Sequence, residues 1–169
     1  MNNKLIVFAA TALLALELIA GCVRVPERSA NSNTNQAQTD ASAKPPVIYA
    51  EDGIAIKGID PVAYFNQGSP VPGSSEFEYE WEGVTWRFAN AENRNLFINE
   101  PDQYAPQYGG YCAWAVAQGN LAPIDPNAWS IVDHKLYLNF NKEIQQRWQQ
   151  DIPGNIAKAN ANWPEILNK

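Results

Sequence analysis

The chain has 169 residues, with 12 Lys and Arg against 18 Asp and Glu, a formal charge of −6 and a pI near 4.7. That acidic balance argues against a nucleic-acid partner, because binding to a phosphate backbone rests on clustered Lys and Arg. Hydrophobic residues at 46% and aromatics at 11% exclude a wholly disordered chain, and two Cys exclude both a four-cysteine zinc site and a disulfide-dense scaffold.

Residues 1–21 have the pattern of a lipoprotein signal peptide. Lys4 gives a short basic start, Leu5 to Ala20 is apolar except for Glu17, and the small pair Ala20-Gly21 precedes Cys22. The stretch is short for a membrane-spanning helix. Ile19-Ala20-Gly21-Cys22 resembles a bacterial lipobox, which implies that Cys22 is acylated and becomes the first residue of the mature chain. The alternative is an ordinary secretory signal with an incidental Cys. Acyl chains on Cys22 make the membrane a partner, each buried methylene contributing about 0.8 kcal/mol. Residue 23 is Val and not Asp, which by analogy with enterobacterial sorting favours the outer membrane, facing the periplasm. With Cys22 acylated, Cys112 is the one remaining thiol and no intramolecular disulfide can form.

From 22 to 48 the chain is rich in Asn, Ser, Thr, Gln and Ala and closes on Pro45-Pro46. Too little apolar surface is present to offset chain entropy, so a flexible tether is expected. Its reach is about 25–30 Å, from roughly 5–6 Å times the square root of its length. Residues 49–169 follow as one domain, with 15 acidic and 8 basic residues and a net of −7.

The domain is predicted to be α+β, with two antiparallel hairpins and several short helices. Gly53 to Gly58 is expected as a short strand, and Asp60-Pro61 as the cap and first position of a short helix through Phe65. Glu76–Trp81 and Val84–Phe88 alternate strictly about Glu82-Gly83 and predict a hairpin with its aromatics on one face. Asn90 caps a predicted helix Ala91–Asn99 with Leu96 and Phe97 inward, stopped by Pro101. A glycine turn at Tyr108 leads into an apolar, helical stretch to Gly119. The second hairpin is Trp129–Val132 and Lys135–Phe140 about Asp133-His134, and Asn141 caps a helix bearing Ile144 and Trp148. Pro153 opens a last helical stretch through Ile156.

The chemically unusual stretch is Tyr108-Gly109-Gly110-Tyr111-Cys112-Ala113-Trp114. Its glycine pair permits left-handed backbone or a close approach, and it sets Cys112 at the start of a helix, where a thiolate is stabilised. Two readings follow: a nucleophilic or metal-ligating sulfur, or a small buried hydrophobe, the usual fate of a free Cys. No CxxC and no nearby basic residue supports the thiolate. Tyr108, Gly109, Gly110, Tyr111 and Trp114 are the candidate lining of a ligand pocket. His134, the only His, is either a metal ligand or an exposed turn residue. Glu76, Glu78, Glu80 and Glu82 form a row that is either a cation-gathering face or a solvated one. There is no P-loop, dinucleotide fingerprint, G-x-S-x-G or H-E-x-x-H.

Gly58-Ile59-Asp60-Pro61-Val62-Ala63-Tyr64-Phe65, Ala91–Phe97, and Pro101 through Gly109-Gly110-Tyr111-Cys112-Ala113 together resemble YHS-domain proteins. Pro123-Ile124-Asp125-Pro126 and Asp151–Ile156 continue the resemblance, which covers about Gly53 to Leu167 and is closest to the exported, lipoprotein-like branch. YHS domains occur beside copper-transporting ATPases and in multicomponent phenol hydroxylases, so the resemblance implies a metal-associated domain, with a transition-metal ion as the one cofactor it suggests. Forms suited to metal often carry two Cys, whereas this chain offers only Cys112. The resemblance adds weight to Cys112 and none to His134, where relatives often have Gly.

The sequence therefore predicts an envelope lipoprotein whose YHS-like domain binds a metal ion or small ligand near Cys112, with no positive sign of an enzyme. The alternatives are a structural or partner-binding envelope lipoprotein without metal, and a thiol redox enzyme working with a single Cys.

Overall fold

The computed structural model describes residues 44–169; the signal-peptide reading, Cys22 and most of the tether lie outside the described residues. Six strands are described: β1 Ala50–Glu51, β2 Ile54–Ala55, β3 Ser74–Trp81, β4 Val84–Phe88, β5 Asp125–Val132 and β6 Lys135–Asn139. The helices are α1 Ala63–Asn66, α2 Ala91–Asn99, α3 Pro101–Tyr104, α4 Ala113–Ala117, α5 Lys142–Gln149 and α6 Ile152–Asn162. The fold is α+β, as expected.

The two expected hairpins are present. In β3–β4 the register pairs Trp81 with Val84, Tyr79 with Trp86 and Glu80 with Thr85. In β5–β6 it pairs Val132 with Lys135 and Trp129 with Leu138. Both turns hold two residues at positive φ, Glu82 (52°) with Gly83 (75°) and Asp133 (49°) with His134 (58°). Such turns match the natural strand twist, and Asp and His tolerate the left-handed region better than most side chains.

A third hairpin departs from the expected strand over 53–58. Asp52 (φ 50°) and Gly53 (φ 78°) turn β1 back onto β2, and only Ile54–Ala55 is strand. The chain then runs left-handed through Ile56, Lys57 and Gly58. A β-branched residue at positive φ costs about 1–2 kcal/mol. Full burial of Ile56 offsets that by about 1.5–3 kcal/mol. β2 pairs parallel to β4 at Ile54 and Thr85, so the first hairpin belongs to a mixed sheet of order β1-β2-β4-β3.

The caps are legible one by one. Asn90 accepts from the Asn93 N–H at 2.9 Å, Asn141 from the Ile144 N–H at 2.8 Å and Asp151 from the Gly154 N–H at 3.0 Å. Pro101 ends α2 but also opens α3, since its fixed φ suits a first helical turn. The last helix runs to Asn162, beyond the expected Ile156.

Asp60 does more than begin a helix. Its carboxylate is fully buried and accepts four hydrogen bonds: from the Val62 N–H (2.8 Å), the Ala63 N–H (3.3 Å), the Ala89 N–H (2.9 Å) and the Asn93 amide (2.6 Å). It ties the start of α1 to the end of β4 and the first turn of α2.

The core is continuous across both sheets. One aromatic group gathers Trp81, Trp86 and Phe88 around Phe97, with ring centroids 5.0–5.6 Å from Phe97. A second links Tyr137 to Trp148 at 5.1 Å and Tyr108 to Trp163 at 6.1 Å. The packed chain also starts before residue 49: Ile48 is buried, the Tyr111 hydroxyl donates to Pro46 O at 2.9 Å, and the Tyr49 N–H donates to Gly109 O at 2.8 Å.

Candidate functional site

Cys112 precedes α4 and is only 1% exposed. Its Sγ accepts from the Phe140 N–H at 3.3 Å, and its thiol donates to Asn139 Oδ1 at 3.8 Å. The same Oδ1 accepts from the Trp114 N–H at 3.2 Å, so Asn139 ties the start of α4 to the end of β6. Asn139 is itself fully buried, and its Nδ2 has no partner among the described residues.

Burial pushes the Cys112 thiol up from its ordinary value, and the backbone N–H groups of Ala115, Phe140 and Trp114 pull only weakly the other way. Burial thus acts against the stabilisation of a thiolate that a helix start would give. A turn of helix Ala113–Ala117 stabilises less than removal from water costs. Both the metal-ligating and the thiol-enzyme readings need the deprotonated sulfur.

His134 does not reach Cys112. It is exposed in the β5–β6 turn, at the opposite end of β6 from Asn139. At roughly 3.3 Å per residue that is about 16 Å along the strand. No group of three or more His, Cys, Asp or Glu that could hold a metal ion is present among the described residues. The donor set at Cys112, one neutral thiol and one amide oxygen already accepting twice, does not fit a transition-metal ion, which wants thiolate or imidazole. Cys112 and His134, the two metal-ligand candidates of the sequence, are therefore not brought together.

The carboxylate row also resolves into ordinary roles. Glu78 pairs with Arg87 at 2.8 Å across the hairpin, while Glu76, Glu80 and Glu82 are exposed.

The ligand-pocket candidates divide between two clefts. Cys112 and Trp114 line a small apolar cleft of about 270 Å³ with Ala115, Ala122, Phe140 and Ile144. Tyr108 and Gly109 line a larger, more polar one of about 330 Å³. Gly110 and Tyr111 line neither. Gly110 is filled from within, since a Cβ there would meet Ile56 Cγ2 at 2.7 Å. Tyr111 spends its hydroxyl on Pro46 O.

The larger cleft lies where several elements end. Trp81 closes β3 and Glu82 turns the hairpin; Asp102 lies in α3; Asn160 and Trp163 come from the end of α6; Val47 and Ile48 bring in the N-terminal chain. Tyr108 is left-handed (φ 56°), an outlier for an aromatic residue, and so are Gly109 (60°) and Gly110 (82°) after it. The Tyr108 ring is held by its hydroxyl, which donates to Asn160 Oδ1 at 3.0 Å. The sequence pointed to Tyr108 and Gly109 through the glycine pair. Asp102, Asn160 and Trp163 were missed because Asp102 lies about 60 residues from the other two with no shared motif.

A buried thiol and buried phenols make the fold sensitive to alkali. Tyr64, Tyr108, Tyr111 and Tyr137 are all shifted upward, chiefly by burial. Below the ordinary values of 9.0 for Cys and 10.0 for Tyr, both folded and unfolded chains keep these protons. Above them the unfolded chain ionises first and binds fewer protons, so stability falls as pH rises. Urea midpoints are expected to be level near neutrality, to drop from about pH 9 and to steepen above about pH 10. In Cys112→Ala the first step of that decline is expected to disappear. In native wild-type protein Cys112 is expected to react with an aromatic disulfide reagent only as fast as the chain unfolds.

No family model, no curated protein and no solved structure matches the chain.

Proposed function

We propose that this chain is a lipid-anchored protein of the bacterial envelope whose α+β domain, YHS-like in its motifs, is a binding module for a small organic ligand. The observation that carries the reading is the 330 Å³ cleft beside Tyr108 and Gly109. It has the size of a small-ligand site, mixed aromatic and polar walls, and a strained backbone at its floor. On this reading the ligand sits at Tyr108 and Gly109, and Cys112 belongs to the buried core. The lipobox resemblance at Cys22 supplies the anchor and the envelope location.

The anchor is tested by feeding an alkyne-tagged palmitate to expressing cells. The wild-type chain is expected to take up the label and to fractionate with the outer membrane, and Cys22→Ser to do neither. The cleft is tested by a thermal-shift screen of small polar and aromatic fragments. Hits are expected to raise Tm by mass action in wild type and in Cys112→Ser alike. They are expected to fail in Gln107→Trp, where a large ring fills the cleft. Hits that depend on Cys112 would return the site to the smaller cleft.

A second reading, a partner-binding lipoprotein without a small ligand, is favoured by Phe140. It is 48% exposed and lies with Trp114 and Ile144 at the apolar cleft. A half-exposed Phe beside an apolar cleft offers a seat for an apolar side chain of a partner.

A further inference from the structure

Resting on the cleft being a ligand site, we infer that its ligand is an organic cation, an alkylammonium or quaternary ammonium group. Two half-buried Trp, Trp81 and Trp163, line the cleft, and Trp163 is backed by the rings of Tyr108 (6.1 Å) and Tyr111 (6.3 Å). Aromatic faces attract a cation through the ring quadrupole, and indole does so best. Two carboxylates, Glu82 and Asp102, share the lining, and none of the lining residues is Lys or Arg. Neither carboxylate is in an ion pair among the described residues, where the three pairs present are Lys57–Glu51, Arg87–Glu78 and Arg147–Glu143. The side-chain amides of Gln107 and Asn160 bring further acceptor oxygens, although one lone pair of Asn160 is occupied by the Tyr108 hydroxyl.

The charge of the surroundings acts in the same direction. The domain is acidic overall, and a concave site lined by one sign of charge concentrates field lines and counter-ions. An anion would meet two carboxylates with no basic side chain in the lining to compensate. A neutral polyol could stack on the indoles but would leave the carboxylate charges unused. A cation too bulky to hydrate tightly, with methyl or methylene groups around nitrogen, uses both features of the site. Aromatic walls suit its apolar surface and carboxylates its charge.

The experiment uses the full chain, exported and purified in a nonionic detergent, at low ionic strength. Choline is titrated against its neutral isostere 3,3-dimethylbutan-1-ol, with tryptophan fluorescence and calorimetry as readouts and sodium chloride as the ionic-strength control. Choline is expected to bind at least about tenfold more tightly than the isostere, equivalent to about 1.4 kcal/mol. That preference is expected to fall below about threefold in the exposed, isosteric double variant Glu82→Gln/Asp102→Asn and to persist in Glu92→Gln, on α2 away from the cleft. Equal affinities for choline and the isostere, or a preference untouched by the double variant, would overturn the inference. If a neutral fragment binds the cleft while choline does not, the cation assignment falls and the binding module stands. If choline, the isostere and the fragments all fail to bind, both fall together.

Discussion

Asp60→Ala is expected to lower the free energy of unfolding by about 3–5 kcal/mol, because removing one acceptor orphans several buried donors at about 1–3 kcal/mol each. The donors are the Val62, Ala63 and Ala89 N–H groups and the Asn93 amide, and they belong to three separate elements. The side chain is fully buried, so water cannot replace it without opening the core. Asp60→Asn keeps the shape but turns a donating NH₂ toward at least one N–H. Its loss is expected at about half that of Asp60→Ala. Urea unfolding with an unchanged slope measures both. A loss under about 1 kcal/mol for Asp60→Ala would show that the four donors find other partners.

Gly109→Ala is the second large effect, expected at about 2–4 kcal/mol from a left-handed backbone and an overpacked contact together. A Cβ at Gly109 would lie 1.8 Å from Val47 O and 3.0 Å from the Val47 carbonyl carbon. Backbone on both sides leaves no flexible side chain to yield. Gly119→Ala is the matched control: its φ of +76° is equally left-handed, but its nearest neighbour is Lys169 Nζ at 3.7 Å. It is expected to cost only the conformational part, about 1–2 kcal/mol. If the two variants lose equal stability, Val47 and Ile48 are not held against Gly109. If Gly109→Ala loses more and also becomes sensitive to proteolysis before Tyr49, the incoming segment has been displaced from the domain.

Much of the fold was legible because its signals are local. Alternation about Glu82-Gly83 and Asp133-His134, and the caps Asn90 and Asn141, each require only a few adjacent residues. The β1–β2 hairpin carried a local signal too, the Asp52-Gly53 dipeptide, but it was overlooked because its two-residue strands are too short to alternate. The left-handed run at Ile56 could not be read at all. Ile favours strands, and what offsets the strain is its full burial, which includes a close approach to Gly110 far along the chain.

The site was legible in part for the same reason. Gly109-Gly110 marked a place where backbones approach, and Tyr108 and Gly109 do line a cleft. The sequence left Cys112 with two readings, an activated sulfur at a helix start or a buried hydrophobe, because its burial is a property of the whole fold. Asp60 was read as a helix cap on sequence alone, since nothing adjacent to it reveals that Ala89 and Asn93 will arrive at its second oxygen.

The way the chain enters the domain also separates two definitions of a minimal fragment. Val47 and Ile48 form part of the cleft wall, whereas the strands and nearly all the buried aromatic residues come later. A fragment trimmed to begin at Tyr49 would keep both described sheets and every described helix yet carry a breached pocket. A ligand screen on such a fragment would not test the intact cleft, however well folded the fragment proved.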